Sequence, residues 1–286
     1  EALPSLADLD GRVAVDVVHV CVPPAAHAQL AEQALALGAH LIVEKPLTPD
    51  ADTTAALLAA AKAQGSMVVP VHQFLFQPGV QRLLSRQARH GTLVRCVFDA
   101  ATAGAELTHV DRDDLVADIL PHPLALFSRF VSAAVSDVEW IALRPAPGEL
   151  RALADVDGTT LEIVISTRGR PTRATLDVVG TTASAHADLY HGFAVVERGS
   201  GIGVRKLVRP FALAGATFGR AGANLTRRAL SRELAYPGLR ELVRRTYDAI
   251  ASSSAPPIPE HETMAVAVAR DRILAAVAES QRAMPR

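Results

Sequence analysis

An α/β fold is predicted, with a parallel sheet covered by helices at the start of the chain and an α+β region on an open, largely antiparallel sheet after it. Three observations carry this. Apolar β-branched runs alternate with helix-period segments over the first 75 residues. Those runs are apolar at successive positions, as strands buried on both faces must be. From Val138 onward the pattern becomes long alternating stretches joined by short Gly- or Pro-containing turns, which reads as an antiparallel meander.

The elements follow in order. DVVHVCVPP (16–24) is a continuous apolar run stopped by two prolines, AAHAQLAEQALALGA (25–39) has helical spacing and ends near Gly38, and HLIVEKP (40–46) is apolar again. TPDADTTAALLAAAKAQG (48–65) reads as a capped helix and SMVVPVHQF (66–74) as a third strand. In a parallel sheet of this kind ligands sit beyond the carboxyl ends of the strands, which places Pro23-Pro24, Glu44-Lys45-Pro46 and His72-Gln73-Phe74 along one rim. Residues 77–91 read as a helix, 92–102 as a strand and 114–132 as a mostly helical apolar segment. VEWIALRP, ELRALADV, TTLEIVIST, TRATLDVVG, SAHADLYH and FAVVERG form the meander, 210–250 returns to helical spacing, SSSAPPIP (252–259) is a loop and 263–284 a closing helix. The expected division is 1–75 and 76–286.

Composition bounds the class. Of 286 residues 49% are hydrophobic and 21% charged, with 29 basic against 30 acidic side chains, a globular balance with no net field for nucleic acid. No apolar stretch approaches the roughly 20 residues of a membrane helix, and EALPSLADLDGR lacks a signal-peptide core, so the cytoplasm is the expected location. The chain begins with Glu rather than Met, which leaves room for a preceding segment. Cys21 and Cys96 lie in apolar runs and read as buried free thiols.

The segment from Arg198 to Arg245 carries eleven basic and two acidic residues, net +9, leaving −10 elsewhere. It reads as a packed helix pair with a solvated arginine face; an anionic pocket wall, and peripheral membrane contact through 210–250, are the alternatives.

CVPPAAH, GAHLIVEKPLT and DILPH, in that order and spacing and followed by a β-meander, resemble the Gfo/Idh/MocA oxidoreductases, the family of glucose-fructose oxidoreductase and inositol dehydrogenase. The resemblance runs from about residue 5 to the closing helix. It implies a nicotinamide dinucleotide (Rossmann) domain followed by a substrate domain whose open sheet often serves homo-oligomerisation. It also implies hydride exchange between NAD or NADP and a secondary alcohol or ketone of a sugar, cyclitol or nucleotide-linked sugar. One feature departs from the family: its opening strand and G-x-G-x-x-G pyrophosphate loop are missing, since GSGIGV (199–204) has Val at the last position and lies in the wrong half. A truncated amino terminus is the expected explanation; a non-catalytic binding or assembly module that has lost the dinucleotide site is the alternative.

By that resemblance Lys45 polarises the substrate oxygen, His122 is the base and Asp118 its orienter, while Pro23, Pro24, His27, Glu44, Lys45 and Pro46 line the nicotinamide side. Gln73, Phe74 and Gln77 face substrate. Residue chemistry agrees with these roles: Asp118 and His122 are four apart, one helical turn, and a neutral imidazole with pKa near ~6.5 suits proton acceptance. The plainer readings are a surface Glu-Lys pair at a strand end, an Asp118 N-cap on a helix beginning near 118, and Pro-Pro as a strand stop with His27 on the next helix. Pro121 and Pro123 remove helix hydrogen bonds beside His122 and unsettle its direction. HADLYH (186–191) puts His186 and Asp188 on one strand face and His191 on the other, so no metal site is expected, and no G-x-S-x-G nucleophile is present.

Overall fold

The computed structural model describes residues 5–9, 13–103, 109–199, 204–233 and 236–283. Three short parallel strands, β1 (Val17–Val20), β2 (His40–Val43) and β3 (Val68–Pro70), form the first sheet in the order β1-β2-β3. Helix α1 (His27–Ala36) joins the first two and α2 (Ala51–Ala63) the last two. Val20 is opposite Val43 and Val43 opposite Pro70, so the three carboxyl ends lie level and make one rim.

Local chemistry sets these boundaries. Gly38 adopts φ +76 after α1, the left-handed conformation that ends a helix most cheaply in glycine. Asp50 caps α2, its carboxylate accepting the Thr53 amide at 2.7 Å. Two strands are shorter than their apolar runs. β1 stops at Val20, because Pro23 and Pro24 have no N–H to continue a ladder, and Cys21 is exposed. The expectation of a buried thiol therefore holds for Cys96 alone. β3 stops at Pro70, and Gln73–Phe76 form a 3-10 turn rather than strand, feeding α3 (Pro78–Leu84) with Pro78 at its first position.

The second sheet has seven strands. They are β4 (Leu93–Ala101), β5 (Ile141–Leu143), β6 (Glu149–Val156), β7 (Thr159–Ser166), β8 (Arg173–Gly180), β9 (Ala183–Asp188) and β10 (Phe193–Arg198), in the order β10-β9-β8-β4-β7-β6-β5. β4 lies between β7, to which it is parallel, and β8, to which it is antiparallel; the other pairs are antiparallel. One face is core: Leu150, Ala152, Leu161, Ile163, Ile165, Leu176 and Val178 alternate inward. The other is open, with Glu162, Val97, Asp177, His186 and Val195 forming one row across it. His186 pairs with Asp177 and His191 with Asp188, and no group of metal ligands occurs among the described residues.

Helices α4 (His109–Ile119), α5 (Pro121–Phe127), α6 (Val204–Leu230), α7 (Leu239–Ala251) and α8 (Glu260–Ala283) complete the chain. Residues 200–203 of GSGIGV lie outside the described residues. Leu41, Val43 and Val68 point to α1 and α2, against Ala31, Leu35, Leu57 and Leu58. Ile42, Val69 and Val71 point the other way, into a cluster that runs through Leu120 and Leu124, Ala269 and Ile273 of α8, and on to Ile163 of the second sheet. The 198–245 arginines pair largely within their own neighbourhood: Arg209 with Glu197, Arg227 with Glu233, and Arg244 and Arg245 with Glu241.

The docking of α3 on the sheet edge depends on Gly79, where a Cβ would stand 2.7 Å from the Phe193 carbonyl carbon. Alanine there gains about 1 kcal/mol of helix propensity but must push backbone aside, a cost of roughly 1–3 kcal/mol or more. Gly79→Ala is expected to lower stability despite the propensity gain, and a urea midpoint at or above wild type would refute the close approach.

Candidate active site

The rim is tied from behind by His27. Its ring is buried, with Nδ1 2.7 Å from the Pro46 carbonyl and Nε2 2.8 Å from the Val22 carbonyl, linking the loops after β1 and β2. Both nitrogens are occupied by backbone, so His27 braces the rim and does not reach a ligand itself. In front of it Pro23 is exposed, Pro24, Glu44 and Lys45 are half-buried and Pro46 is buried after a cis peptide bond. Among the described residues the Lys45 ammonium makes no ion pair or hydrogen bond, and its charge acts on Asp118, His72 and His122.

Opposite the rim, α4 and α5 bring Asp118 and His122. The two helices are nearly continuous: the Leu120 amide donates to Val116 and the Leu124 amide to Leu120. Asp118 is therefore in the last turn of α4, not an N-cap, and the break falls at Pro121. Pro121 has no N–H for the Ala117 carbonyl, and Arg270 of α8 supplies the donor, its Nε at 3.2 Å, while its Nη1 donates to the Pro49 carbonyl at 2.7 Å. One guanidinium thus fastens the proline break to the loop that follows the rim.

His122 is buried and stacked on Phe74, ring centroids 4.4 Å apart. Its Nδ1 is shut away without a partner, which leaves Nε2 as the nitrogen able to meet a ligand. The hydrogen bond that an orienting role for Asp118 requires is not made; Phe74 and the flanking prolines hold the ring. Burial, then the Lys45 charge, then His72 push the His122 pKa well below its ordinary 6.5, so the ring is neutral at physiological pH. The Asp118 carboxyl is raised, burial outweighing the opposing charges of Lys45 and Arg270.

His72, beyond β3, joins this group and was missed as a site residue by sequence reasoning, although it stands in the quoted HQF. It is buried, its Nδ1 has no partner, and burial and Lys45 lower its pKa to about 4. The other two substrate-side candidates part company. Both have an Oε1 without a partner, but Gln73 is half-buried while Gln77 is fully buried and donates from Nε2 to the Leu189 carbonyl at 2.7 Å. Gln77 therefore ties α3 to the second sheet and does not face the cleft. Gly238, at φ +91, lets α7 approach the turn at Gln73, since a Cβ would stand 2.3 Å from the Gln73 carbonyl oxygen.

These residues fit the nicotinamide and substrate end of a dinucleotide site: an ammonium without an ion pair among the described residues and two buried imidazoles feel one another's charge at the rim of the parallel strands. The sequence carries no G-x-G-x-x-G for the pyrophosphate.

Two predictions follow from the burial pattern. Both histidines have folded pKa values below the unfolded 6.5, so their contribution to stability is full above pH 6.5 and is lost as pH falls toward 4. Asp118 has the opposite sign, its contribution being present at acid pH and lost as pH rises through its raised value. The histidines should dominate: stability falls between pH 6.5 and 4.5, and His72→Leu removes roughly 1–3 kcal/mol of that fall. An unchanged pH slope in the variant would disprove the neutral burial of His72. The thiols should separate as well, because Cys96 is buried with its pKa pushed up to about 12 whereas Cys21 is exposed. Native protein should release one equivalent with a thiol reagent and the second only in denaturant.

Known proteins share part of this sequence and most of this fold. Residues 1–72 match the oxidoreductase family with an NAD-binding Rossmann fold. dTDP-3,4-didehydro-2,6-dideoxy-alpha-D-glucose 3-reductase of Actinomadura kijaniata is 36% identical over 78 residues, and the enzyme of that name from Streptomyces violaceoruber is 41% identical over 90. Those stretches are 27% and 32% of this chain and 23% of each relative, so the match spans about a quarter of the relatives' length. Among solved structures, UDP-N-acetylglucosamine 3-dehydrogenase from Acidithiobacillus ferrooxidans superposes with a TM-score of 0.73 at 19% identity, over 98% of this chain and 83% of that one. A 3-ketoreductase from Actinomadura kijaniata in complex with NADP gives 0.70 at 18% identity, over 97% and 81%. At such identities the likeness is one of fold. The sequence match covers the amino-terminal residues 1–72, whereas the likeness of architecture to the two solved structures runs through nearly the whole chain.

Proposed function

We propose that this protein is an NAD(P)-dependent oxidoreductase transferring hydride between the nicotinamide and a secondary alcohol or ketone of a sugar, cyclitol or nucleotide-linked sugar. The observation that carries the reading is the free Lys45 ammonium acting on His122, His72 and Asp118 at the carboxyl rim of a parallel sheet. The nucleotide-linked sugars named for the relatives make a nucleoside-diphosphate keto sugar the first substrate to try.

When bound, the dinucleotide supplies or accepts the hydride. Pro23, Pro24, Glu44, Lys45 and Pro46 line its nicotinamide side. Lys45 polarises the substrate oxygen, and His122, neutral because it is buried, takes the hydroxyl proton at Nε2 in oxidation and returns it in reduction. Asp118 sets its carboxyl within the field of the Lys45 ammonium and so helps to position that charge at the rim. Phe74 fixes the imidazole plane, and Gln73 offers its amide to substrate.

On the same reading residues 1–75 are the dinucleotide part and 76–286 the substrate part, and the open face of the second sheet serves a homo-oligomer. A cytoplasmic location accords with the two free thiols and with the absence, among described residues, of a helix long and apolar enough to cross a membrane.

Lys45→Ala and His122→Ala should each lower turnover by about a hundredfold or more while leaving cofactor affinity nearly unchanged. Near-normal turnover in His122→Ala would remove the base assignment. Fluorescence titration of the full-length protein, any preceding segment included, with NADH and NADPH tests the broader reading, since failure to bind either up to millimolar concentration would favour a non-catalytic binding module.

A further inference from the structure

Helix α6 is amphipathic and is turned the opposite way from a helix packed on its own core. Its polar side faces the protein: Arg209 pairs with Glu197, Asn224 Nδ2 donates to the His191 carbonyl at 2.8 Å, and Arg228 Nη1 donates to the same oxygen at 3.1 Å. Leu213 shares a groove with Val195 of β10. The apolar stripe consequently faces solvent, with Leu207 77%, Phe211 80%, Phe218 83% and Leu225 68% exposed. Phe211, Phe218 and Leu225 are spaced seven apart, which keeps them on one seam of the helix.

The glycines of α6 call for a partner of their own. Gly215, Gly219 and Gly222 stand in the helix interior, where each costs roughly 1 kcal/mol relative to alanine. A Cβ at any of the three would meet nothing within 4 Å. Among the described residues nothing requires them to be small, and they leave a low strip beside the apolar stripe on which a second helix can lie close.

We infer that two copies of this chain pair through antiparallel α6 helices about a twofold axis passing between Ala216 and Thr217. In that register Phe218 meets Gly215 of the partner subunit, Phe211 meets Gly222 of the partner subunit and Val208 meets Leu225 of the partner subunit. Every large side chain faces a small residue or a matched aliphatic one, and the twofold repeats each contact. The helix is about 40 Å long, and its bulky side chains, at roughly 150–200 Å² each, with their flanks approach the ~800 Å² per partner of a stable interface. Antiparallel helix dipoles add to the pairing. Arg209 and Arg228 are held against the sheet edge while Lys206, Arg220 and Arg227 stay exposed, so the vesicle measurement below tests a membrane surface directly.

The full-length chain is to be measured by size-exclusion chromatography with light scattering. Phe211→Ser with Phe218→Ser should halve the native mass, whether or not the open sheet face makes a second interface. Gly222→Leu should halve it too, with circular dichroism and melting temperature kept or raised, a combination that misfolding does not produce. In a Cys21→Ser background, Phe211→Cys chains mixed with Gly222→Cys chains should form a disulfide-linked heterodimer on mild oxidation. Phe211→Cys alone should not, its two copies lying about 16 Å apart along the axis. A native mass unaffected by Gly222→Leu, failure of the mixed cross-link, or a wild-type chain of the lower mass that co-sediments with phosphatidylglycerol vesicles through the stripe would each overturn the pairing.

Discussion

The two sheets share one hydrophobic core, and everything at the rim depends on it. Ile42 and Val69 leave one face of the first sheet and enter the same cluster as Ile163 of the second, with Leu120, Leu124 and Ala269 between them. Three short parallel strands would hardly stand alone, since a small sheet needs both faces covered. The shared core covers the second face and so places α4 and α5 over the strand ends. Lys45 and His122, 77 residues apart in sequence, come to act on one another because that shared core carries α5 over the strand ends.

Burial then sets the chemistry. In water the rim would be an ordinary set of ionisable groups. Here desolvation is the largest cause of the shift at His72, at His122 and at Asp118, and in each case it disfavours the charged form. Two imidazoles and a carboxyl are all pushed toward neutrality around one ammonium that retains access to solvent. A charge brought by a ligand would consequently be felt more strongly than at an exposed site.

Much of this was legible in the sequence because period and turn chemistry are local. The alternation of apolar runs and helices through residue 65 carried the first sheet, Asp50 announced the cap of α2, and the meander gave the antiparallel strands. What escaped was decided at long range. Cys21 looked like strand but lies beyond the last ladder bond, and Gln77 looked like a cleft residue but spends its amide on Leu189, 112 positions away. The Asp118–His122 spacing was right about the helical turn and wrong about a hydrogen bond, because stacking on Phe74 holds the ring instead. Pro121 signalled an orphaned carbonyl at Ala117, yet nothing local could say that Arg270 would supply its donor.

The position of β4 has a consequence for how the molecule comes into being. Its two neighbours, β7 and β8, lie more than fifty residues downstream, so the central strand of the second sheet has no partner when it leaves the ribosome. The helices bearing Asp118 and His122 sit inside the loop that this pairing closes. Arg270, which ties the proline break to the rim, arrives later still, in the last helix. Vectorial synthesis thus leaves the reactive groups unassembled until α8 is made, and a nascent chain short of α8 displays the rim without its clasp.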